Sequence, residues 1–192
     1  MPSASVNGQP GPFATNVASS VASTSAVANE DPVFDSIDSA IEALRRNEFV
    51  IVLDSEDREN EGDLILPAAN ITTEQMAFLI RYTSGFVCIS LHPERIAELS
   101  LPMMFPQNEE PHKTAYTVTA DYRHGTTTGI SAHDRALTAR MLSSGSGATS
   151  KDFSRPGHLC PLRYTEGGVQ VRMGHTEASI GEFGGVLDVA RV

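Results

Sequence analysis

The densest group of chemically active side chains lies in DSEDRENEGDLIL, residues 54–66. Five carboxylates occupy the eight positions that end at Asp63, and Arg58 is their only cation. In an extended segment, residues two and four positions apart share a face, so Glu59, Glu61 and Asp63 could converge on a divalent cation. An isolated acidic turn is more often only solvated. Here the flanking apolar runs FVIVL and LILPA predict strands that hold the loop rigidly, which favours a cation site.

Two familiar metal motifs match this sequence only in part. As an EF-hand, the acidic loop would begin at Asp57, and its twelfth position, which needs a bidentate glutamate, would be Ala68. His175-Thr176-Glu177 matches the H-x-E half of a zinc deaminase signature, but P-C-x-x-C is absent downstream. The segment SSGSGATSK lacks the Gly-Lys-Ser/Thr ending of a phosphate loop and is interpreted as a flexible connection.

Two histidines stand behind glycines in predicted turns. His158 follows the Pro-Gly pair of SRPGHLCPL, and His175 lies in VRMGHTEA, with Arg172 three residues before it. A single histidine is more often structural than catalytic, and the repeated context slightly favours chemistry. HGTTTGISAHDR runs from a predicted strand into a predicted helix, where N–H groups and hydroxyls could hold a phosphate. Ser131 with Asp134 also forms an ordinary N-cap pattern there, and the two interpretations are compatible.

The elements that must position these residues are strands and helices without regular alternation, which predicts a single α+β domain with a mixed sheet and surrounding helices. FVIVLD is predicted to be a fully buried strand. Thr72 and Gln75 form a capping-box pattern at the start of a helix that ends at Gly85. Predicted helices are FDSIDSAIEALRRNE (with Phe34, Ile37, Ile41 and Leu44 on one face), TTEQMAFLIRYTSG, PERIAEL and SAHDRALTARMLSS; predicted strands are FVIVLD, LILPA, FVCISL, TAYTVTADY and GGVQVRMGH.

Composition limits the possible functions. The 192 residues suffice for one domain, and 40% hydrophobic with 20% charged residues is typical of a soluble globular protein. A formal net charge of −10 argues against nucleic acid as a partner. No apolar stretch is long enough for a membrane helix. Cys88 and Cys160 show no metal or redox spacing, and no secretory signal is recognised, which predicts a cytoplasmic protein.

Residues 1–31 differ in composition from residues 32–192. They are rich in Ser, Ala, Val, Pro and Gly and contain neither Lys nor Arg. Such a segment cannot bury enough surface to offset its ordering entropy, so it is predicted to be a disordered tail. Targeting peptides are typically Arg-rich, which argues against that role.

Four motifs in chain order, DSEDRENEGDLI, TTGISAHDRALT, RPGH and GHTEA, resemble the 3,4-dihydroxy-2-butanone 4-phosphate synthase family of riboflavin biosynthesis. The resemblance covers about residues 34–180. It implies an α+β fold, a homodimer with active sites at the subunit interface, and a divalent cation, usually Mg²⁺, with Mn²⁺ as the alternative. The reaction it implies converts D-ribulose 5-phosphate to 3,4-dihydroxy-2-butanone 4-phosphate and formate.

The resemblance also implies roles for individual residues. Glu59 and His175 resemble the metal ligands, and Asp63 and His158 resemble catalytic residues. A cation on both substrate oxygens would stabilise an enediolate, a carboxylate or neutral imidazole would move protons, and Arg172 would bind the phosphate. The implied substrate contacts are Arg58, Glu59, Asp63, Thr114, Arg172, Met173, Gly174, His175 and Thr176.

The sequence departs from the family pattern after GHTEAS. There the family continues for several tens of residues, through a strand whose Cys-Glu pair supplies a catalytic glutamate, whereas this sequence reads IGEFGGVLDVARV. The expectation is a synthase truncated at its C-terminus. The alternative is a catalytically impaired form that acts only as a binding or dimerising partner.

Overall fold

The computed structural model describes residues 34–143, 147–181 and 189–191. Its strands are β1 (Val50–Leu53), β2 (Gly62–Pro67), β3 (Cys88–Leu91), β4 (Ala120–Tyr122), β5 (Phe153–Arg163) and β6 (Val189–Arg191). Its α-helices are α1 (Ile37–Arg45), α2 (Thr73–Tyr82), α3 (Pro93–Glu98), α4 (Ala132–Ser143) and α5 (His175–Gly181). Short 3-10 helices span Ala68–Asn70, Ser150–Asp152 and Gly168–Gln170. The predicted tail over residues 1–31 lies outside the described residues.

The strands form one mixed sheet in the order β1-β2-β6-β3-β5-β4. Among the described strands only β3 and β5 pair in parallel, and the other neighbours are antiparallel. The predicted α+β fold with a mixed sheet is therefore confirmed. No helix in the described part of the chain has the length and apolar character of a membrane span.

Helices α2 and α4 pack on each other and share the main hydrophobic core with the sheet. Met76 and Leu79 of α2 and Leu142 of α4 are fully buried with Ile89 and Phe153 of the strands. The predicted capping box at the start of α2 is confirmed, because the Thr72 side chain accepts the N–H of Gln75 and the Gln75 side chain accepts the N–H of Thr72. Such a cap stabilises a helix by about 1 kcal/mol.

The prediction of a fully buried first strand is wrong. Ile51 and Leu53 of β1 are 67% and 56% exposed. In the described sheet β1 is an edge strand paired with β2, so its alternate side chains face away from the core. The apolar face of α1 is also only partly buried, since Leu44 is fully buried while Ile37 is exposed; the predicted member Phe34 precedes the helix and is exposed.

Three later predictions also differ from the structure. Of TAYTVTADY only β4 is a strand, while Tyr116 and Thr117 make isolated bridges. SRPGHLCPL is not a turn but lies within β5, where Gly157 packs so closely that a Cβ would lie 2.2 Å from the carbonyl carbon of Ala120. GGVQVRMGH is a 3-10 helix and loop instead of a strand, because Gly167 and Gly168 adopt φ of +89° and +61°.

Candidate active site

The acidic loop between β1 and β2 is closed by one aspartate. Asp54 Oδ1 accepts the N–H of Glu61 at 2.9 Å, and Oδ2 accepts the N–H of Glu59 at 3.1 Å and Nη1 of Arg58 at 2.7 Å. Burial opposes ionisation of Asp54, but these three donors outweigh it and lower the pKa of the carboxyl to about 2. Asp54 is therefore an anion at neutral pH that fixes the backbone before and after Asn60.

The start of α5 brings His175 to this loop. Asp54, Glu59 and His175 each offer a donor atom, and these atoms lie within 4.8 Å of one another. Nδ1 of His175 is 3.7 Å from Oε2 of Glu59 and 3.6 Å from Oδ2 of Asp63. The structure thus brings together the predicted ligands Glu59 and His175 and the predicted catalytic Asp63. Glu61, by contrast, is exposed.

The donor set fits a divalent cation. Two carboxylates and one imidazole within a few ångströms are typical of Mn²⁺, Fe²⁺ or Zn²⁺, and Mg²⁺ accepts such carboxylates readily but histidine less often. Arg58 Nη1 lies 2.8 Å from Oε2 of Glu59 and also contacts Asp54, so it neutralises part of this charge. Asp54 was not among the residues predicted as ligands, although it stands at the end of a predicted strand.

Arg172 occupies a different environment. Its Nη1 lies 2.5 Å from Oε2 of Glu177, its Nη2 donates to Oγ1 of Thr114 at 2.8 Å, and its Nε donates to the carbonyl of His112 at 3.0 Å. Glu177 is 1% exposed and also accepts the N–H of Thr165. This network joins the predicted substrate contacts Thr114 and Arg172, and its third member is Glu177, which the sequence analysis considered only as part of a zinc deaminase signature.

The loop before α5 packs tightly on this network. A Cβ at Gly174 would lie 2.2 Å from Nη1 of Arg172 and 2.8 Å from Oε2 of Glu177, so only glycine fits there. Thr176 is buried, while Met173 is 79% exposed. The ion pair between Arg172 and Glu177 therefore packs against the predicted substrate segment 172–176, in which Met173 is exposed and Thr176 is buried.

The hydrogen bonds of His158 lead to another residue, Asp121 of β4. Nδ1 of His158 is 2.6 Å from Oδ2 of Asp121, and the N–H of His158 donates to Oδ1 at 2.8 Å. Sequence reasoning missed Asp121, because nothing local distinguishes it from any other aspartate near a strand end. The predicted N-cap at Ser131 is present, since its Oγ accepts the N–H of Asp134 at 3.0 Å.

A cleft of about 610 Å³ opens beside the acidic loop. Its lining includes Glu61 and Asp63 together with aromatic residues such as Phe86 and Tyr116. Its volume lies in the range of small-molecule sites. Asp63 is 4% exposed, so a buried carboxylate lies at the edge of this cleft.

Comparison with known proteins agrees with these features. Residues 38–181 match the family model of 3,4-dihydroxy-2-butanone 4-phosphate synthase. The synthase of Schizosaccharomyces pombe is 54% identical over 145 residues, which cover 76% of this chain and 71% of that protein. The Saccharomyces cerevisiae synthase is 52% identical over 154 residues, covering 77% and 74%.

A crystal structure of such a synthase in complex with two magnesium ions superposes with a TM-score of 0.79 at 50% identity. The superposition covers 82% of this chain and 74% of that one. The chain therefore belongs to the 3,4-dihydroxy-2-butanone 4-phosphate synthase family.

Proposed function

We propose that the chain converts D-ribulose 5-phosphate to 3,4-dihydroxy-2-butanone 4-phosphate and formate in riboflavin biosynthesis, as a divalent-metal-dependent lyase. The observation that carries the proposal is the convergence of Asp54, Glu59 and His175 within 4.8 Å, beside the buried carboxylate of Asp63. Asp54, Glu59 and Asp63 are neighbours in the sequence, whereas His175 comes from helix α5, far along the chain. A purely solvated acidic loop would not require a buried histidine against it.

Glu59 and His175 would hold the metal, with Asp54 as a third donor. Bound there, Mg²⁺ or Mn²⁺ would supply Lewis-acid stabilisation of negative charge on the substrate oxygens. Asp63 would take the proton from the carbon beside the carbonyl; the 3.6 Å between its Oδ2 and Nδ1 of His175, beside the proposed metal ligands, supports this role. His158 would act as the second proton carrier, at the ring nitrogen Nε2.

The phosphate of the substrate would bind near Arg172, with Arg58, Thr114 and the segment 173–176 as further contacts. A guanidinium has five N–H donors, and three of those of Arg172 donate to protein atoms, which leaves two for a phosphate. Arg172→Lys is expected to weaken binding of ribulose 5-phosphate more than binding of unphosphorylated ribulose, measured by calorimetry. Equal losses for both sugars would remove Arg172 from the phosphate site.

The proposal extends to assembly and location. A cytoplasmic homodimer is proposed, with residues 32–192 as the synthase domain and residues 1–31 as its tail. The exposed Ile51 and Leu53 on β1 support an interface between copies. Sedimentation of the full chain and of Leu53→Glu tests this, with loss of the dimer expected in the variant.

Formate release decides the proposed activity. The full chain is incubated with ribulose 5-phosphate and Mg²⁺, with Mn²⁺, or with a chelator, and formate and the four-carbon phosphate are measured together. Equal amounts of both products that depend on the metal are expected. Metal-dependent substrate binding without formate would instead indicate a form that only binds the substrate. The absence of both substrate binding and formate release would contradict the proposal altogether.

A further inference from the structure

We infer that Asp121 is a positioning residue that holds His158 in one ring orientation and one tautomer. The inference rests on the proposed function, in which His158 carries a proton. One carboxylate makes both contacts: Oδ1 accepts the backbone N–H of His158 at 2.8 Å, and Oδ2 meets ring Nδ1 at 2.6 Å. Because the backbone and the ring share one acceptor group, rotation of the imidazole would break the shorter bond.

The contact also assigns the ring proton. An ionised carboxylate only accepts hydrogen bonds, so Nδ1 is the protonated nitrogen, and whenever the ring is neutral Nε2 keeps its lone pair. The Asp121 side chain is 11% exposed and that of His158 is 40% exposed. The pair is thus covered on the Asp121 side and open on the imidazole side, which leaves Nε2 as the nitrogen that can reach a substrate.

The TTTG segment before α4 covers this pair. A Cβ at Gly129 would lie 2.0 Å from Oδ2 of Asp121 and 2.7 Å from Nδ1 of His158, and Gly129 has a φ of +97°. The N–H of Gly129 donates to Oδ2 of Asp134 at 3.0 Å, which fixes the glycine in place. Asp134 also accepts the N–H of Thr127. These two N–H groups are therefore occupied by the Asp134 carboxylate and are not available to bind a phosphate.

A second histidine–aspartate pair provides a matched control. Nε2 of His124 lies 2.9 Å from Oδ1 of Asp152, but the His124 side chain is 62% exposed. This pair has the same chemistry at the surface and lies outside the proposed machinery. Asp152→Asn therefore controls for the general effect of removing a carboxylate beside a histidine.

The first test replaces the carboxylate. Asp121→Asn keeps the size of the side chain, but its amide can donate to Nδ1 and so favours the opposite tautomer. We expect kcat for formate release to fall about 100-fold or more while KM changes less than about threefold, because ring orientation and tautomer act on proton transfer. Asp121→Glu should recover part of the loss, and Asp152→Asn should retain full kcat. Circular dichroism and melting temperature establish that each variant is folded.

The second test displaces the pair without changing either member. Gly129→Ala places a methyl group on Oδ2 of Asp121, whereas Gly125→Ala also occupies a positive φ, of +74°, but would meet only a Leu137 methyl at 3.4 Å. We expect Gly129→Ala to lower kcat far more than Gly125→Ala. Equal losses would mean that backbone strain alone is responsible and would count against the inference.

The third test reads the tautomer directly. In ¹⁵N-labelled protein, long-range ¹H–¹⁵N correlation spectra of the imidazole distinguish a protonated Nδ1 from a protonated Nε2. His158 is expected to carry its proton on Nδ1 in the unaltered chain and to lose this preference in Asp121→Asn. This measurement decides the inference even if the chain releases no formate, so failure of the proposed function is distinguished from failure of the inference. A proton on Nε2 of His158 in the unaltered chain, or wild-type kcat in Asp121→Asn, would overturn it.

Discussion

The acidic loop and the TTTG loop share one feature: in each, the carboxylate of a single aspartate accepts hydrogen bonds from the backbone N–H groups of the loop. Asp54 precedes its loop and accepts the N–H groups of Glu59 and Glu61. Asp134 follows its loop and accepts the N–H groups of Thr127 and Gly129. In both loops, two N–H groups that are two residues apart are held by a single carboxylate, so each loop has one defined shape.

The two loops differ in the remaining donors to their aspartates. Asp54 is completed by the guanidinium of Arg58, whereas Asp134 is completed by the hydroxyl of Thr127 at 2.8 Å and by ring Nδ1 of His133 at 3.1 Å. The acidic loop holds more carboxylates than its one arginine neutralises, so its charge balance favours a cation. The TTTG segment, residues 126–129, contains no carboxylate of its own. We therefore propose that the acidic loop binds a cation, whereas the TTTG loop supports Asp121 and His158.

The largest expected effect is on the chemistry of the acidic loop. Glu59→Gln removes a charge from the proposed metal site and should lower metal-dependent formate release by about 10²- to 10³-fold, a range typical for loss of one electrostatic contact to the reacting centre. The free energy of unfolding should change by less than about 0.5 kcal/mol, since the like charges in the loop repel each other. Glu56→Gln, at an exposed position of the same loop, is the control. Comparable activity in both variants would remove Glu59 from the site.

The second prediction concerns the stability of the supporting loop. Asp134→Ala leaves buried donors without an acceptor and should lower the free energy of unfolding by about 3 kcal/mol in urea titrations. Asp38→Ala is the matched control, because Asp38 also stands in the first turn of a helix but is exposed. Its loss should stay below about 0.5 kcal/mol. Added Mn²⁺ should not restore Asp134→Ala, and restoration would contradict the division between the two loops.

Both loops were visible in the sequence because they close locally. Asp54 and Glu61 are seven residues apart, and Thr127 and Asp134 are also seven apart, so the residues that make each loop lie within one motif. The caps at Thr72 and Ser131 were predictable for the same reason. What each loop touches was not predictable. Gly129 meets Asp121 and His158 only after β4 and β5 have paired.

The errors in the fold have a related cause. The pattern of β1 correctly identified apolar side chains, but an apolar side chain is buried only if another element covers it, and β1 lies at the edge of the described sheet. The contact between Arg172 and Thr114 spans 58 residues, so no motif contains both partners. Contacts between residues far apart in the sequence could therefore not be predicted from local patterns.

The third prediction separates a ligand from a loop anchor at Asp54. Asp54→Asn removes one negative charge while its Oδ1 can still accept the N–H of Glu61. We expect Mn²⁺ affinity in calorimetry to fall about 10- to 100-fold, as for other groups that support a metal site. Glu61→Gln is the control, because only the backbone of Glu61 contacts Asp54 and its side chain is exposed. If Asp54→Asn binds Mn²⁺ as tightly as Glu61→Gln, Asp54 serves the shape of the loop alone.

The smallest expected effect is the loss of stabilisation by the Asp134 carboxylate at acidic pH. Burial opposes ionisation of this carboxyl, but the hydroxyl and N–H of Thr127, the ring of His133 and the N–H of Gly129 outweigh it and hold its pKa well below the ordinary 3.8. A group whose pKa is lowered by folding stabilises the folded state above its unfolded pKa, and this stabilisation is lost as the pH falls. The contribution of Asp134 is therefore complete above about pH 5 and begins to decline below about pH 4. Asp134→Asn has no such titration, so the difference in unfolding free energy between the unaltered chain and the variant should narrow as the pH falls from 5 to 3. The effect is small because only the upper part of the titration lies in this range. Urea titrations at closely spaced pH values measure it, and a difference that stays constant with pH would show that Asp134 does not hold its loop as an anion.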